Sequence, residues 1–144
     1  SRAVTVAMET AGLGDLAVEV SLLLTSDEAI AALNAQFRGQ QKPTNVLSWP
    51  AFVLAPPAPG ERPPLPRAMP GEPLPIGDIA LAFETVAAEA DARNLAFNDH
   101  AAHLIIHGVL HLLGFDHEHD DDAGVMEGIE RLALARLGVA DPYC

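Results

Sequence analysis

The stretch HGVLHLLGFDH, His107 to His117, limits what this chain can be more than any other. His107 and His111 stand four residues apart inside the apolar run Leu104 to Leu113. In a helix, side chains at that spacing leave one face, one turn apart. Gly114 can take the left-handed conformation that a tight reversal needs, and the chain returns through Phe115 and Asp116 to His117. Three neutral imidazoles around one point, with a fourth position open, are the ligand set of a catalytic zinc. Structural zinc sites are usually closed by four protein ligands and rich in Cys; this chain has one Cys, at its last position. All six His lie between His100 and His119. A lone His on an apolar helix is more often a satisfied core residue, but this spaced trio points to metal. The expected cofactor is one Zn2+ ion bound by His107, His111 and His117; nickel or copper would also suit three imidazoles.

The spacing His-x-x-x-His-x-x-Gly-x-x-His resembles that of the metzincin metalloproteases. Those enzymes carry Glu directly after the first His as the general base. Here that position is Gly108, which has no side chain for acid–base work.

With 144 residues the chain is expected to be a single domain, 1–144. A domain of this size buries roughly 70% of its unfolded surface, and an apolar content of 49% suits a globular core. No apolar run approaches the ~20 residues of a membrane span, and no secretory signal pattern opens the chain. A single Cys makes a reducing cytoplasm the expected location. The net charge of −12, with only eight Lys and Arg, argues against broad nucleic-acid binding by phosphate neutralisation. An RNA substrate would need a local basic patch, a metal or a partner that delivers it.

Along the chain, Arg2 to Leu13 reads as strand or short helix. Val18, Val20, Leu22 and Leu24 alternate as in a strand over Ala17 to Leu24 with one better-buried face. Thr25 or Ser26 can cap a helix starting at Asp27, with Ile30, Leu33 and Phe37 inside and Gly39 as its stop. Val46 to Trp49 reads as a short strand between prolines. Ala55 to Pro75 holds nine of the twelve prolines and reads as an extended, exposed loop, either an expanded hairpin connection or a partner-binding polyproline segment. Ile76 to Ala82 is a strand. Glu84 to Arg93 is a helix with Val86, Ala87 and Ala90 on one face. Asn98 or Asp99 can cap the metal helix, which runs to Leu113. Asp120 to Asp122 suit a helix N-terminus, and Met126, Ile129, Leu132, Ala133 and Leu137 give that last helix its apolar face up to Gly138. The expected fold class is α+β: a small mixed sheet packed with helices, the metal helix at the centre.

Three blocks carry a resemblance to a known family: LNAQFRGQQKPTNVLSWP (Leu33 to Pro50), IGDIALA (Ile76 to Ala82), and HAAHLIIHGVLHLLGFDH (His100 to His117). The third continues through Met126, Glu127 and Glu130 to Asp141-Pro142-Tyr143. The chain resembles the YbeY family of bacterial rRNA maturation factors, metal-dependent endoribonucleases. That family normally opens with a strand before the first helix. The chain starts inside the corresponding helix, so Ala3 to Ala11 is expected helical and one sheet edge absent. The proline-rich stretch is longer than usual for the family.

The resemblance implies a single-strand endoribonuclease that trims rRNA, especially the 3′ end of 16S rRNA, and takes part in ribosome quality control. It assigns the zinc to His107, His111 and His117, and nuclease activity to the cleft arginine Arg38, so Arg38 and His117 are the expected catalytic residues. A three-His zinc lowers the pKa of its water toward ~7 and polarises a phosphoryl oxygen. Arg38 can hold the phosphate and offset transition-state charge, or be a solvated helix-end residue. Lys42 adds a phosphate contact or is a plain loop lysine. Thr44, Asn45 and Ser48 bind ribose or phosphate, or tie the loop down. Asp78 caps a turn or bonds within the cleft. Asp116, beside a ligand, can orient an imidazole. His103, one turn before His107, is a general acid, a residue supporting the ligands, or a satisfied core His; His100 and His119 are expected exposed. The implied partners are rRNA and the small ribosomal subunit, with a small-subunit ribosomal protein and an assembly GTPase as carriers, and no membrane. Two other readings stay open: a zinc metalloprotease-like hydrolase, against which Gly108 speaks, and a nonenzymatic ribosome-assembly factor with a structural metal, which the acidic charge favours.

Overall fold

The computed structural model describes residues 2–14, 17–38, 44–51, 58–61, 63, 74–115 and 120–139, with the side chains at 37 and 38 outside the description. The ambiguous opening is helix α1 (Arg2–Thr10). Burial of Ala3, Val6 and Ala7 at helical spacing outweighs the strand preference of its β-branched residues. Gly12 ends the helix at φ 83°, where a residue without Cβ carries no strain.

Strand β1 (Val18–Thr25) leads into α2 (Asp27–Arg38). Ser26 caps α2: its Oγ accepts the Ala29 N–H at 3.1 Å. Strand β2 (Val46–Pro50) and strand β3 (Leu74–Ala82) pair antiparallel, and β1 pairs parallel with β3, so the sheet order is β1-β3-β2. Strands β2 and β3 are thus antiparallel neighbours, and most of the proline-rich stretch between them, read as a hairpin connection or a polyproline segment, lies outside the described residues. Strand β3 begins before the expected Ile76. Pro75 is tolerated there because β2 stops opposite Gly77, leaving no ladder bond for the missing N–H to make.

After β3 come α3 (Phe83–Ala92), α4 (Phe97–Leu112) and α5 (Asp120–Arg136). The central strand separates two cores. Ile76 and Ile79 face α1, α4 and α5, in a cluster with Ile106, Val109, Leu110, Met126 and Leu134. Ala80 and Ala82, on the other face, meet Ile30 and Leu47. The architecture is α+β, with helix α4 lying across the sheet as the sequence predicts.

Three expectations are corrected. The face of β1 that should be buried is covered only at Val18 and Val20, while Leu22 and Leu24 are 41% and 52% exposed. Helix α1 packs on α4 and α5, and between it and β1 lies a cleft of about 380 Å³ lined by Val4, Met8, Val18 and Val20. Leu132 is exposed, and Leu134 takes its place inside, because the buried stripe of α5 runs through Met126, Ile129, Glu130, Ala133 and Leu134. Neither Asn98 nor Asp99 is the cap of α4. Ala96 holds that position without a side-chain bond, and Phe97, the first helical residue, packs on Phe83 with ring centroids 5.3 Å apart.

Candidate metal centre

Helix α4 is anchored by Leu104, Ile106, Val109, Leu110 and Leu112, all buried. That leaves His103, His107 and His111 on one stripe, facing α5 and partly open to solvent. Gly108 turns the opposite way. A Cβ there would lie 2.9 Å from Ile79 Cδ1 and 3.3 Å from its Cγ1, so the absent side chain is what lets α4 sit close on β3. The position that would carry a protease's general base is filled by the sheet. After α4, Gly114 adopts φ 97°, and the Phe115 N–H donates to the Leu110 carbonyl at 3.0 Å, which starts the expected reversal.

The centre is built around Glu130 of α5, whose side chain is fully buried. His107 Nδ1 lies 2.5 Å from Glu130 Oε1, and His103 Nε2 lies 3.3 Å from Oε2. A carboxylate only accepts, so the ring nitrogens facing it carry the protons. For a neutral His107 this leaves the lone pair on Nε2. That atom lies 3.0 Å from Nε2 of His111. Two imidazole nitrogens bound to one tetrahedral zinc at 2.0–2.1 Å would stand about 3.3 Å apart. The pair thus fits either a ring-to-ring hydrogen bond or shared ligation of one cation, and its donor chemistry suits zinc. Among the described residues no group of three potential metal ligands is assembled. His107 and His111 supply two, and His117, with Asp116 and His119, lies outside the described residues.

Arg38 is the last residue of α2; its side chain and all of Lys42 lie outside the described residues. Thr44 and Ser48 are half-buried, before and within β2. Asn45 ties this segment down: its Nδ2 donates to Glu89 Oε1 of α3 at 3.1 Å. Asp78 is exposed inside β3, between Trp49 and Ser21, and so caps no turn. His103 is bound to the Glu130 carboxylate. His100, expected exposed, is 4% exposed. The first turn of α4 lies under α3, where Glu89 Oε1 sits 2.9 Å from His100 Nε2.

Sequence reasoning left Glu130 and Glu89 without roles. For Glu130 a signal was present: an acidic residue four after Met126 and four before Leu134, inside an apolar stripe, has to find partners when the helix packs. Glu89 carried no such signal, since its partners come from the residue before β2 and from α4.

Comparison with known proteins identifies the family. The family model described as Endoribonuclease YbeY matches residues 1–138. The Endoribonuclease YbeY of Ruegeria pomeroyi is 49% identical over 142 residues, covering 99% of this chain and 86% of the relative. That of Dinoroseobacter shibae is 51% identical over 144 residues, covering 99% and 78%. The solution structure of TM1509 from Thermotoga maritima superposes with a TM-score of 0.52 at 26% identity, covering 95% of this chain and 85% of that one. A match that runs from the first helix through the last, at about half identity to relatives covered over 86% and 78% of their length, means that this chain belongs to the YbeY endoribonuclease family.

Proposed function

We propose that this protein is a zinc-dependent endoribonuclease that cleaves single-stranded rRNA during maturation of the small-subunit 3′ end and in ribosome quality control. Cleavage of RNA follows from family membership. One observation carries the metal reading: the Nε2 atoms of His107 and His111 converge to 3.0 Å on the open side of α4. In this reading His117 completes the ligand set after the reversal at Gly114. Zinc in such a site supplies Lewis acidity, polarising a phosphoryl oxygen and acidifying a water molecule.

The chain's own residues do the rest. Arg38, at the end of α2, holds the scissile phosphate and offsets its growing charge. Lys42 adds a second phosphate contact, and Thr44, Asn45 and Ser48 present polar groups to ribose or phosphate, before and within β2. Glu89 orients Asn45 for this task. Asp116 supports a ligand ring. One domain carries the whole activity. The acidic charge makes naked RNA a poor encounter partner, so a small-subunit ribosomal protein or assembly GTPase delivers the substrate in the cytoplasm. Among the described residues no helix is long and apolar enough to cross a membrane.

The test is cleavage of a single-stranded 3′-terminal fragment of small-subunit rRNA by zinc-loaded protein. Arg38→Ala should bind zinc as the wild type does and lose cleavage by 100-fold or more, on the order found for removal of one transition-state charge partner. Equal cleavage by the two proteins would overturn the assignment of Arg38. Cleavage unaffected by complete chelation would overturn the zinc mechanism.

A further inference from the structure

The geometry points to Glu130 as the positioning residue of the metal centre: its buried carboxylate, shared by His107 and His103, presents His107 to the cation. The inference rests on the metal reading above. Glu130 Oε1 meets Nδ1 of His107 at 2.5 Å, and Oε2 meets Nε2 of His103 at 3.3 Å. With no exposure to solvent, the carboxylate needs donors for compensation, and both rings lie in place to donate. In return it selects the His107 tautomer with the proton on Nδ1, which directs the Nε2 lone pair toward His111. A carboxylate behind an imidazole also raises the basicity of the ligating nitrogen. His103 has a definite part in this arrangement. By occupying Oε2 it keeps Oε1 turned toward His107, which assigns the His one turn before the ligands to positioning and not to proton transfer.

The bonds could instead serve only to fasten α5 to α4, so the test separates positioning from stability. Zinc affinity, measured by competition with a chromophoric chelator, is compared with the melting temperature of the metal-free protein. Glu130→Gln keeps size and acceptor oxygen but removes the charge. It should weaken zinc binding 10- to 100-fold, the range typical for loss of a ligand-supporting carboxylate, and shift the visible spectrum of bound Co2+. Zinc affinity equal to wild type in Glu130→Gln, with binding lost in His107→Ala, would overturn the role of Glu130 alone. Unchanged affinity in His107→Ala would overturn the metal reading and this inference with it. A second measurement uses the unaltered chain, so it holds even where a variant fails to fold. Long-range proton–nitrogen NMR of metal-free protein should show His107 protonated at Nδ1; protonation at Nε2 alone would overturn the assignment.

Discussion

Replacing Gly77 with Ala should be among the most damaging single-methyl changes in this protein. Gly77 lies in β3 at φ 146°, in a region where a side chain strains the backbone. The new methyl would fall far inside contact distance of the Trp49 carbonyl oxygen, 2.7 Å from Leu112 Cδ2 and 3.1 Å from Pro50 Cα. The first and last of these are backbone atoms of the paired strand, which no rotamer change can move. Backbone strain of this kind costs about 1–3 kcal/mol, and overpacking in a filled site adds about 1–3 kcal/mol. A loss of about 3–5 kcal/mol would remove a fifth or more of the roughly 5–15 kcal/mol available to a domain. In thermal unfolding followed by circular dichroism, that corresponds to a melting temperature lower by roughly 10 °C or more. Leu112 adjoins His111, so the same displacement reaches the metal helix, and zinc affinity should fall with stability. A melting temperature within about 2 °C of wild type would refute the reasoning, since it would mean β2 and α4 yield at almost no cost.

Further outcomes follow from the packing. Gly108→Glu should fail to create a protease and should instead destabilise the fold by about 3 kcal/mol or more, because a carboxylate would be driven against Ile79 without a partner; peptide cleavage by a folded variant would contradict this. Ile129→Ala should cost about 2–4 kcal/mol in denaturant unfolding, while Leu132→Ala, at a residue 62% exposed, should stay within about 0.5 kcal/mol; equal losses would mean the stripe of α5 is misassigned. Zinc at about 100 times its Kd should stabilise the fold by about 2.7 kcal/mol, reversed by chelation; a melting temperature insensitive to both would contradict a metal site in the folded chain.

The shared face of His107 and His111 and the reversal at Gly114 were legible because they are local. His107, His111 and Gly114 lie within one helix and its end, where the 3.6-residue period and a single left-handed residue dictate direction. Elements with a clear period or cap, such as α2 after Ser26 and β2 between its prolines, were legible for the same reason. The errors share another cause. His100 was expected outside and Leu132 inside, yet each depends on which neighbour lies across the helix. The alternation of β1 promised a buried face, but α1 packs on α4 and α5, leaving Leu22 and Leu24 exposed.

From local rules alone the chain could be read as an acidic α+β protein with two imidazoles on one helical face and a turn that carries a third back toward them. Packing supplied the rest. It put Glu130 behind His107, Glu89 between Asn45 and His100, and Ile79 where a catalytic glutamate would otherwise project. Those contacts join residues 11 to 44 positions apart. Spacing along a chain can say that a buried carboxylate needs a donor, but only the approach of one helix to another selects which donor it meets.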